Sequence, residues 1–176
     1  MVAMKTSRSR FVDVRGVRYH LREWGDEGAP KLFMLHGWMD ASASFQFVID
    51  ALAHGWHVIA PDWRGFGRSG WCGDAYWFPD YLADLDAILR LTEPDAPVRL
   101  VGHSMGGNVA CMYAGARPAR VAAVVALDAF GLADRKADEA PGRYEKWLNE
   151  LAAPVSFRDY PDFDALARRL QRDNPR

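Results

Sequence analysis

The sequence predicts an α/β chain with a mostly parallel sheet that helices cover on both faces. Strand-like and helix-like segments alternate along most of its length. Several strand-like segments are continuously apolar, as in Val121–Leu127, which is typical of strands buried on both faces. The run Val98–Ala110 passes from an apolar strand through Gly-x-Ser-x-Gly into a helix of small residues. Because parallel strands need crossover connections, these three observations favour a parallel sheet whose strands are joined by helices.

The first half of the chain opens with a predicted β-hairpin, because two strand-like segments flank a turn that contains glycine. After the hairpin, apolar residues occur in two short runs and, between them, at helical spacing. The predicted elements are the strands Phe11–Val14 and Val17–Trp24 around Arg15-Gly16, the strand Lys31–Leu35, the helix Ala41–Ala53 and the strand Trp56–Ala60.

The second half continues the alternation as far as Phe130 and is then charged and helical in pattern. Its predicted elements are the helix Phe78–Leu91, the strand Val98–Val101, the helix Met105–Ala116, the strand Val121–Leu127 and the helices Gly142–Leu151 and Phe163–Gln171. We therefore expect residues 1–130 to form the sheet-containing core and residues 131–176 to form a helical extension.

The composition excludes several classes of protein. The 176 residues are 49% hydrophobic, which is enough for one packed core, and the net charge of −1 does not indicate a nucleic-acid partner. No apolar run is long enough to cross a membrane, and no apolar segment of a secretory signal follows the basic N-terminus. Cys72 and Cys111 are too few for a disulfide framework, so we expect a reducing, cytoplasmic location.

Metal and cofactor motifs are missing from the sequence. It has no His-Glu-x-x-His, Cys-x-x-Cys or His-x-His pattern. The pair Gly65-x-Gly67 lacks the third glycine of a dinucleotide fingerprint. We therefore expect neither a metal nor a cofactor.

The segment around Ser104 predicts a strained turn from strand to helix. Gly102 and Gly106 lack the Cβ atoms that would clash across such a turn. The turn would expose the Ser104 hydroxyl at the top of the sheet. It would also aim the N–H of Met105, at the start of the helix, at the place where an oxyanion forms.

Three motifs, each following a predicted strand, resemble those of the α/β-hydrolase fold family. They are His36-Gly37-Trp38, Asp62-Trp63-Arg64-Gly65-Phe66-Gly67-Arg68-Ser69 and Gly102-His103-Ser104-Met105-Gly106-Gly107. Within the family the chain is most similar to capped serine hydrolases of the esterase-like type. The resemblance covers Phe11–Phe130, and the remaining residues resemble the start of the helical cap.

The resemblance implies a catalytic role for Ser104 as the nucleophile. The backbone N–H groups of Trp38 and Met105 would form the oxyanion hole. His36, with Gly37, would brace the oxyanion loop and not act as the base. The substrate would be a small ester-like molecule, and relatives that use a carboxylate nucleophile, such as epoxide hydrolases, are disfavoured. Hydrolysis of ester, thioester, lactone, amide and carbon–carbon bonds stays open, as does perhydrolysis without a cofactor.

The resemblance also implies that Asp62 and Arg64 hold the glycine-rich loop through charge-assisted hydrogen bonds to nearby backbone. Aromatic residues on or beside the strand-end loops are candidates for lining an apolar pocket, although each alone is typical of a core. These candidates are Trp63, Trp71, Trp77 and Phe130, together with Trp38.

No histidine follows His103, although the family places its acid and then its base after the cap. We therefore expect an N-terminal portion that ends within the cap, lacks its base and is nearly inactive alone. Asp128, at the end of a strand, is a candidate acid, and the alternative is that it caps a turn. The His103 side chain is expected to diverge from Ser104. Structural roles are expected for His20, His54 and His57.

Two alternatives to an enzyme stay open at this point. One is a non-catalytic protein that keeps the fold and binds a small apolar ligand. The other is a half-protein that a partner chain completes, which predicts an exposed edge on the strand Val121–Leu127.

Overall fold

The computed structural model describes residues 4–53, 55–73, 76–131, 134–153 and 159–173. The chain forms two compact units, residues 1–132 and residues 133–176. All strands of the described residues belong to the first unit, and the described elements of the second unit are helical.

The first unit is built on one sheet of six strands with the order β1-β2-β4-β3-β5-β6. The strands are β1 (Ser7–Val14), β2 (Val17–Trp24), β3 (Lys31–Leu35), β4 (His57–Pro61), β5 (Val98–His103) and β6 (Val121–Leu127). Its helices are α1 (Gln46–Ala51), α2 (Phe78–Thr92) and α3 (Met105–Ala116). The neighbouring strands β4, β3, β5 and β6 run parallel to one another, whereas β1 and β2 pair antiparallel. The predicted α/β fold with a mostly parallel sheet is therefore confirmed.

The predicted hairpin forms because its turn has the required backbone. Arg15 and Gly16 both have positive φ, at 48° and 79°, as a two-residue hairpin turn requires. The register runs from Ser7 opposite Trp24 to Val14 opposite Val17. β1 therefore begins four residues before the predicted strand.

Alternate residues of β3 enter two separate hydrophobic cores. Phe33 and Leu35 pack with residues of α2 and α3, whereas Leu32 and Met34 pack with Ile49 of α1. Helices thus cover both faces of the sheet, as the continuously apolar strand predicts.

The helix predicted over Ala41–Ala53 is shorter in the structure. Ser42–Phe45 forms a 3-10 turn, and α1 covers only Gln46–Ala51. Asp40 stabilises the tight first turn, because its carboxylate accepts bonds from the Ala41 N–H at 2.8 Å and the Ser44 hydroxyl at 2.9 Å.

Among the described strands, β6 lies at the edge of the sheet and pairs with β5 alone. Its side chains are mostly exposed, including Val125 and Leu127. Its last carbonyl, of Leu127, accepts a hydrogen bond from the Ser104 N–H at 2.9 Å. The edge strand therefore ends beside the turn that carries Ser104.

The second unit contains the helices α4 (Ala140–Ala152) and α5 (Phe163–Asp173). Both are slightly longer than the helices predicted from the sequence. Across both units, none of the described helices combines the length and apolar character needed to cross a membrane.

Candidate active site

The turn between β5 and α3 has the strain that its sequence predicts. Ser104 has φ of 50° and ψ of −115°, a backbone conformation that a residue with a side chain rarely adopts. A Cβ on Gly102 would lie 2.5 Å from the Cα of Gly107, and one on Gly106 would lie 2.5 Å from the carbonyl carbon of Leu35. Glycine is therefore required at both positions, because β3, β5 and α3 approach one another at backbone distance.

The loop after β3 contacts this turn directly. β3 and β5 pair in parallel with Leu35 opposite Gly102, so both strands end at the same edge. A Cβ built on Gly37 would lie 3.3 Å from the Cβ of Ser104 and 3.1 Å from Nδ1 of His103. Met105 is the first residue of α3, where the backbone N–H has no partner within the helix. The sheet therefore brings the His36-Gly37-Trp38 segment and the start of α3 to the Ser104 backbone.

The buried imidazole of His36 connects the loops after β3 and β4. Its Nε2 accepts a hydrogen bond from the Trp63 N–H at 2.9 Å, so the proton lies on Nδ1, which donates to the Gly37 carbonyl at 2.8 Å. Burial lowers the pKa of His36, which favours this neutral form. Both ring nitrogens are engaged inside the protein, so His36 is not free to take a proton from Ser104.

The carboxylate of Asp62 holds the loop after β4 at its start. It accepts bonds from the N–H groups of Ser42 at 2.7 Å and Arg68 at 2.9 Å, and from Nδ1 of His20 at 2.7 Å. Burial opposes ionisation of Asp62, but these donors outweigh it and keep its pKa below the usual value. A Cβ on Gly67 would overlap this carboxylate, so glycine is required there.

Arg64 contacts a residue that the sequence analysis missed. We expected its guanidinium to bond to nearby backbone, but it pairs with the fully buried Asp84 of α2, at 2.5 Å from Nε and 2.6 Å from the terminal nitrogen. The Tyr19 hydroxyl donates to the same carboxylate and accepts the Arg64 N–H at 3.1 Å. Arg15 adds a bond to Asp84 at 2.9 Å.

The charges of this cluster stabilise one another. The hydrogen bonds to Asp84 raise the pKa of Arg64 and outweigh its burial. Burial, with the neighbouring Asp84 charge, raises the pKa of the Tyr19 hydroxyl. The sequence pattern gave no signal for Asp84 beyond an acidic residue on a predicted helix, because its partners are distant in sequence.

The aromatic pocket candidates fall into two groups. Trp63 is fully buried and packs edge-on against Tyr81 at 5.6 Å, so the expectation that it lines a pocket is wrong. Its position after β4 places its ring in the core between the sheet and α2. Trp38 is 60% exposed, and its ring packs edge-on against Phe66 at a centroid distance of 5.1 Å. The other candidates, Trp71, Trp77 and Phe130, are largely exposed.

Asp128 directly follows β6 and is exposed, with a positive φ of 50°. Since β6 ends beside Ser104, Asp128 lies at the same edge of the sheet. Its catalytic role stays a prediction.

The described histidines other than His103 are engaged elsewhere. His20 pairs with Asp62, and His57 lies at the opposite end of β4, 3.3 Å from the Glu23 carboxylate. His54 lies outside the described residues. Within the part of the chain that the structure describes, no imidazole is hydrogen-bonded to the Ser104 hydroxyl.

Three features are those of the α/β-hydrolase fold: a mostly parallel sheet, a serine at positive φ before a helix, and a glycine loop packed against that serine. The sequence pattern of the alpha/beta hydrolase fold family matches residues 30–170. The chain therefore belongs to this family.

Several known proteins are similar to the chain. A serine hydrolase-like protein of Danio rerio is 33% identical over 129 residues, 72% of this chain and 39% of the relative. Epoxide hydrolase A of Mycobacterium tuberculosis is 38% identical over 127 residues, 70% of this chain and 39% of the relative. The solved thioesterase domain from the curacin biosynthetic pathway superposes with a TM-score of 0.82 at 28% identity, over 97% of this chain and 63% of the domain. The chain thus spans about two-fifths of the length of these two sequence relatives.

Proposed function

We propose that Ser104 is the nucleophile of a hydrolase that cleaves small ester-type substrates through an acyl-enzyme. The observation that carries the proposal is the strained Ser104 backbone, with Gly37 packed against the serine Cβ. Such strain persists only where surrounding structure enforces it, and it concentrates at functional sites. Here Gly102 and Gly106 permit the close approach that enforces it.

The proposed reaction has two steps. A general base takes the proton of Ser104, whose oxygen attacks the ester carbonyl and forms a tetrahedral oxyanion. The carbonyl re-forms as the ester C–O bond breaks, the base gives its proton to the departing alkoxide, and the acyl group stays on Ser104. The same base then takes a proton from a water molecule, which attacks the acyl carbon. The acyl–oxygen bond to Ser104 breaks, the acid is released, and the base returns the proton to the Ser104 oxygen. These steps are proton transfers and additions to a carbonyl group, so the proposal needs no cofactor.

Two backbone donors would stabilise the oxyanion. One is the N–H of Met105, which is at the N-terminus of α3. The other is the N–H of Trp38, which belongs to the same planar peptide as the Gly37 carbonyl. Because His36 holds that carbonyl at 2.8 Å, the Trp38 N–H points away from the imidazole. A donor of this kind contributes about 3 kcal/mol to transition-state stabilisation.

Asp128 is the proposed acid because it is at the sheet edge that carries Ser104. The five histidines of the sequence include none after His103. We therefore expect the 176-residue chain alone to hydrolyse esters slowly, with the rate that the oxyanion donors and binding supply without a base.

The nucleophile type favours acyl transfer over epoxide opening. One relative is named as an epoxide hydrolase, and another protein of similar structure is named as a thioesterase. A serine oxygen attacking a carbonyl produces an ester intermediate that water readily cleaves, whereas opening an epoxide would leave a stable ether on the serine. Ester and thioester substrates are therefore the proposed class.

The test supplies the base from solution. The chain is mixed with p-nitrophenyl acetate with and without imidazole, and nitrophenolate release is followed for wild type, Ser104→Ala and Ser44→Ala. Ser44 is an exposed serine that only caps a turn, so its variant is the matched control. With imidazole present, we expect wild type and Ser44→Ala to release nitrophenolate faster than a protein-free mixture of ester and imidazole. We expect Ser104→Ala to match the protein-free mixture. Equal rates in all three proteins would refute the proposal.

The exposed β6 edge favours a second proposal, a half-protein that a partner chain completes. β6 is apolar and uncharged, and among the described strands it is paired on one side only. If this proposal holds, the chain alone associates as its concentration rises, and the amide hydrogens on the open side of β6 are protected from exchange only in the associated form. A monomer with rapid β6 exchange at every concentration would argue against it.

A further inference from the structure

We infer that Asp84 of α2 is a positioning residue for the oxyanion loop, acting through Arg64, Trp63 and His36. The inference rests on the proposed function, because it assigns a task to residues that do not contact the substrate. It goes beyond that function by extending the site to a carboxylate on a neighbouring helix.

The first step joins Asp84 to the loop after β4. Both carboxylate oxygens of Asp84 accept bonds from the Arg64 guanidinium, at 2.5 Å and 2.6 Å. The Asp84 side chain is fully buried, and that of Arg64 is 7% exposed, so solvent screens the pair little. The Tyr19 hydroxyl, bonded to Asp84, also accepts the Arg64 N–H at 3.1 Å. Arg64 is therefore fixed at its side chain and at its backbone.

The second step joins Arg64 to His36 through one peptide unit. The Arg64 N–H shares one planar peptide with the Trp63 carbonyl, so the bond to Tyr19 fixes the chain on the C-terminal side of Trp63. The Trp63 N–H donates to Nε2 of His36 at 2.9 Å, and its indole N–H donates to the His36 carbonyl at 3.0 Å. Trp63 therefore holds both the ring and the backbone of His36.

The third step joins His36 to the proposed oxyanion donor. The bond from Trp63 leaves Nε2 as an acceptor and places the proton on Nδ1, which donates to the Gly37 carbonyl. That carbonyl belongs to the peptide whose N–H is that of Trp38. If the Trp63 bond loosens, His36 can adopt the other tautomer, whose Nδ1 cannot donate to Gly37. The direction of the Trp38 N–H is then no longer fixed.

The loop has a separate attachment that does not involve Asp84. Asp62 binds the N–H groups of Ser42 and Arg68, and so closes the loop on its other side. Removing the Asp84 charge leaves this attachment intact. Its effect is therefore expected at residues 63–66 and at His36 more than at the loop as a whole.

The test reads the His36 ring directly. Ring ¹⁵N chemical shifts at neutral pH report which nitrogen carries the proton, and they are measured in wild type, Asp84→Asn and Asp86→Asn. Asp86 is on the same helix but pairs with Arg90 and the Tyr113 hydroxyl, so its variant is the matched control. We expect the minor Nε2–H tautomer of His36 to increase about fivefold in Asp84→Asn, as loss of one hydrogen bond allows. Asp86→Asn should match wild type.

A second measurement relates this change to catalysis. With imidazole present, we expect Asp84→Asn to lower kcat for the nitrophenyl ester about tenfold with KM unchanged, since only transition-state binding is weakened. If wild type shows no Ser104-dependent hydrolysis, the proposed function fails while the ¹⁵N result still decides the positioning role.

An Asp84→Asn variant that is folded and keeps the wild-type ¹⁵N shifts of His36 would overturn the inference. If circular dichroism shows that Asp84→Asn is unfolded, Tyr19→Phe replaces it, because it removes only the hydroxyl that joins Arg64 to Asp84. We expect a smaller tautomer change in the same direction in Tyr19→Phe, and unchanged His36 shifts there would also overturn the inference.

Discussion

Adding one methyl group at Gly106 should damage both stability and reactivity. A Cβ at this position would lie 2.5 Å from the carbonyl carbon of Leu35 and 2.6 Å from the carbonyl oxygen of His36, where ordinary contact begins at 3.4 Å. Both are backbone atoms, one of the last residue of β3 and one of the residue after it, so no side chain can rotate away. Gly106→Ala therefore pushes α3 from β3 by about 1 Å, and we expect a loss of about 3 kcal/mol in unfolding free energy.

The chain supplies a matched control in the same helix. A Cβ on Gly115 would meet no atom within 4 Å, so Gly115→Ala should stabilise α3 by about 0.5 kcal/mol through helix propensity. Urea unfolding followed by tryptophan fluorescence measures both variants. The displacement in Gly106→Ala should also lower the imidazole-stimulated ester rate at Ser104. Equal stability of the two variants would refute the close approach of β3 and α3.

Three further predictions concern the loops around the site. The free energy of unfolding should fall as pH drops below about 6.5, because burial lowers the pKa of His36 and the unfolded chain then binds a proton that the folded chain does not. Urea titrations of wild type and His36→Gln at several pH values test this, and an equal dependence on pH in both proteins would contradict it. Asp84→Asn should cost about 3 kcal/mol, because it removes the charge that pairs with the buried Arg64 guanidinium and leaves Asp80, 3.6 Å away, to pair with it. Asp86→Asn should cost about 1 kcal/mol or less, and similar urea midpoints would contradict this. Trp63→Ala should lower the free energy of unfolding by about 3 to 5 kcal/mol and Trp71→Ala by about 0.5 kcal/mol or less, since of these two side chains only Trp63 is buried. Thermal unfolding compares the two variants, and equal melting temperatures would contradict this prediction.

The local pattern was sufficient to predict most of the fold. β3, α3 and β6 have the predicted bounds, because apolar runs and the Gly-x-Ser-x-Gly turn delimit them. β5 extends to His103, two residues beyond the prediction, because Gly102 and His103 pair with β6. A pairing partner that is distant in sequence cannot be inferred from the composition of the strand itself.

The same limit applies to the site. The expected positions of Ser104, Gly37 and Asp62 follow from motifs that end predicted strands. The partner of Arg64 could not be predicted, because Asp84 is on a helix 20 residues away and any of several acidic residues there fitted the pattern. Trp63 was misassigned because its loop position indicates exposure, whereas its hydrogen bonds to His36 turn the ring into the core.

The most direct measurement locates the acyl group itself. The chain is incubated with p-nitrophenyl acetate and imidazole, digested and analysed by mass spectrometry. The account predicts an acetyl group on the peptide that contains Ser104, and its loss in Ser104→Ala. Acetylation confined to other residues, or none at Ser104 in the folded protein, would contradict the assignment of Ser104 as the nucleophile.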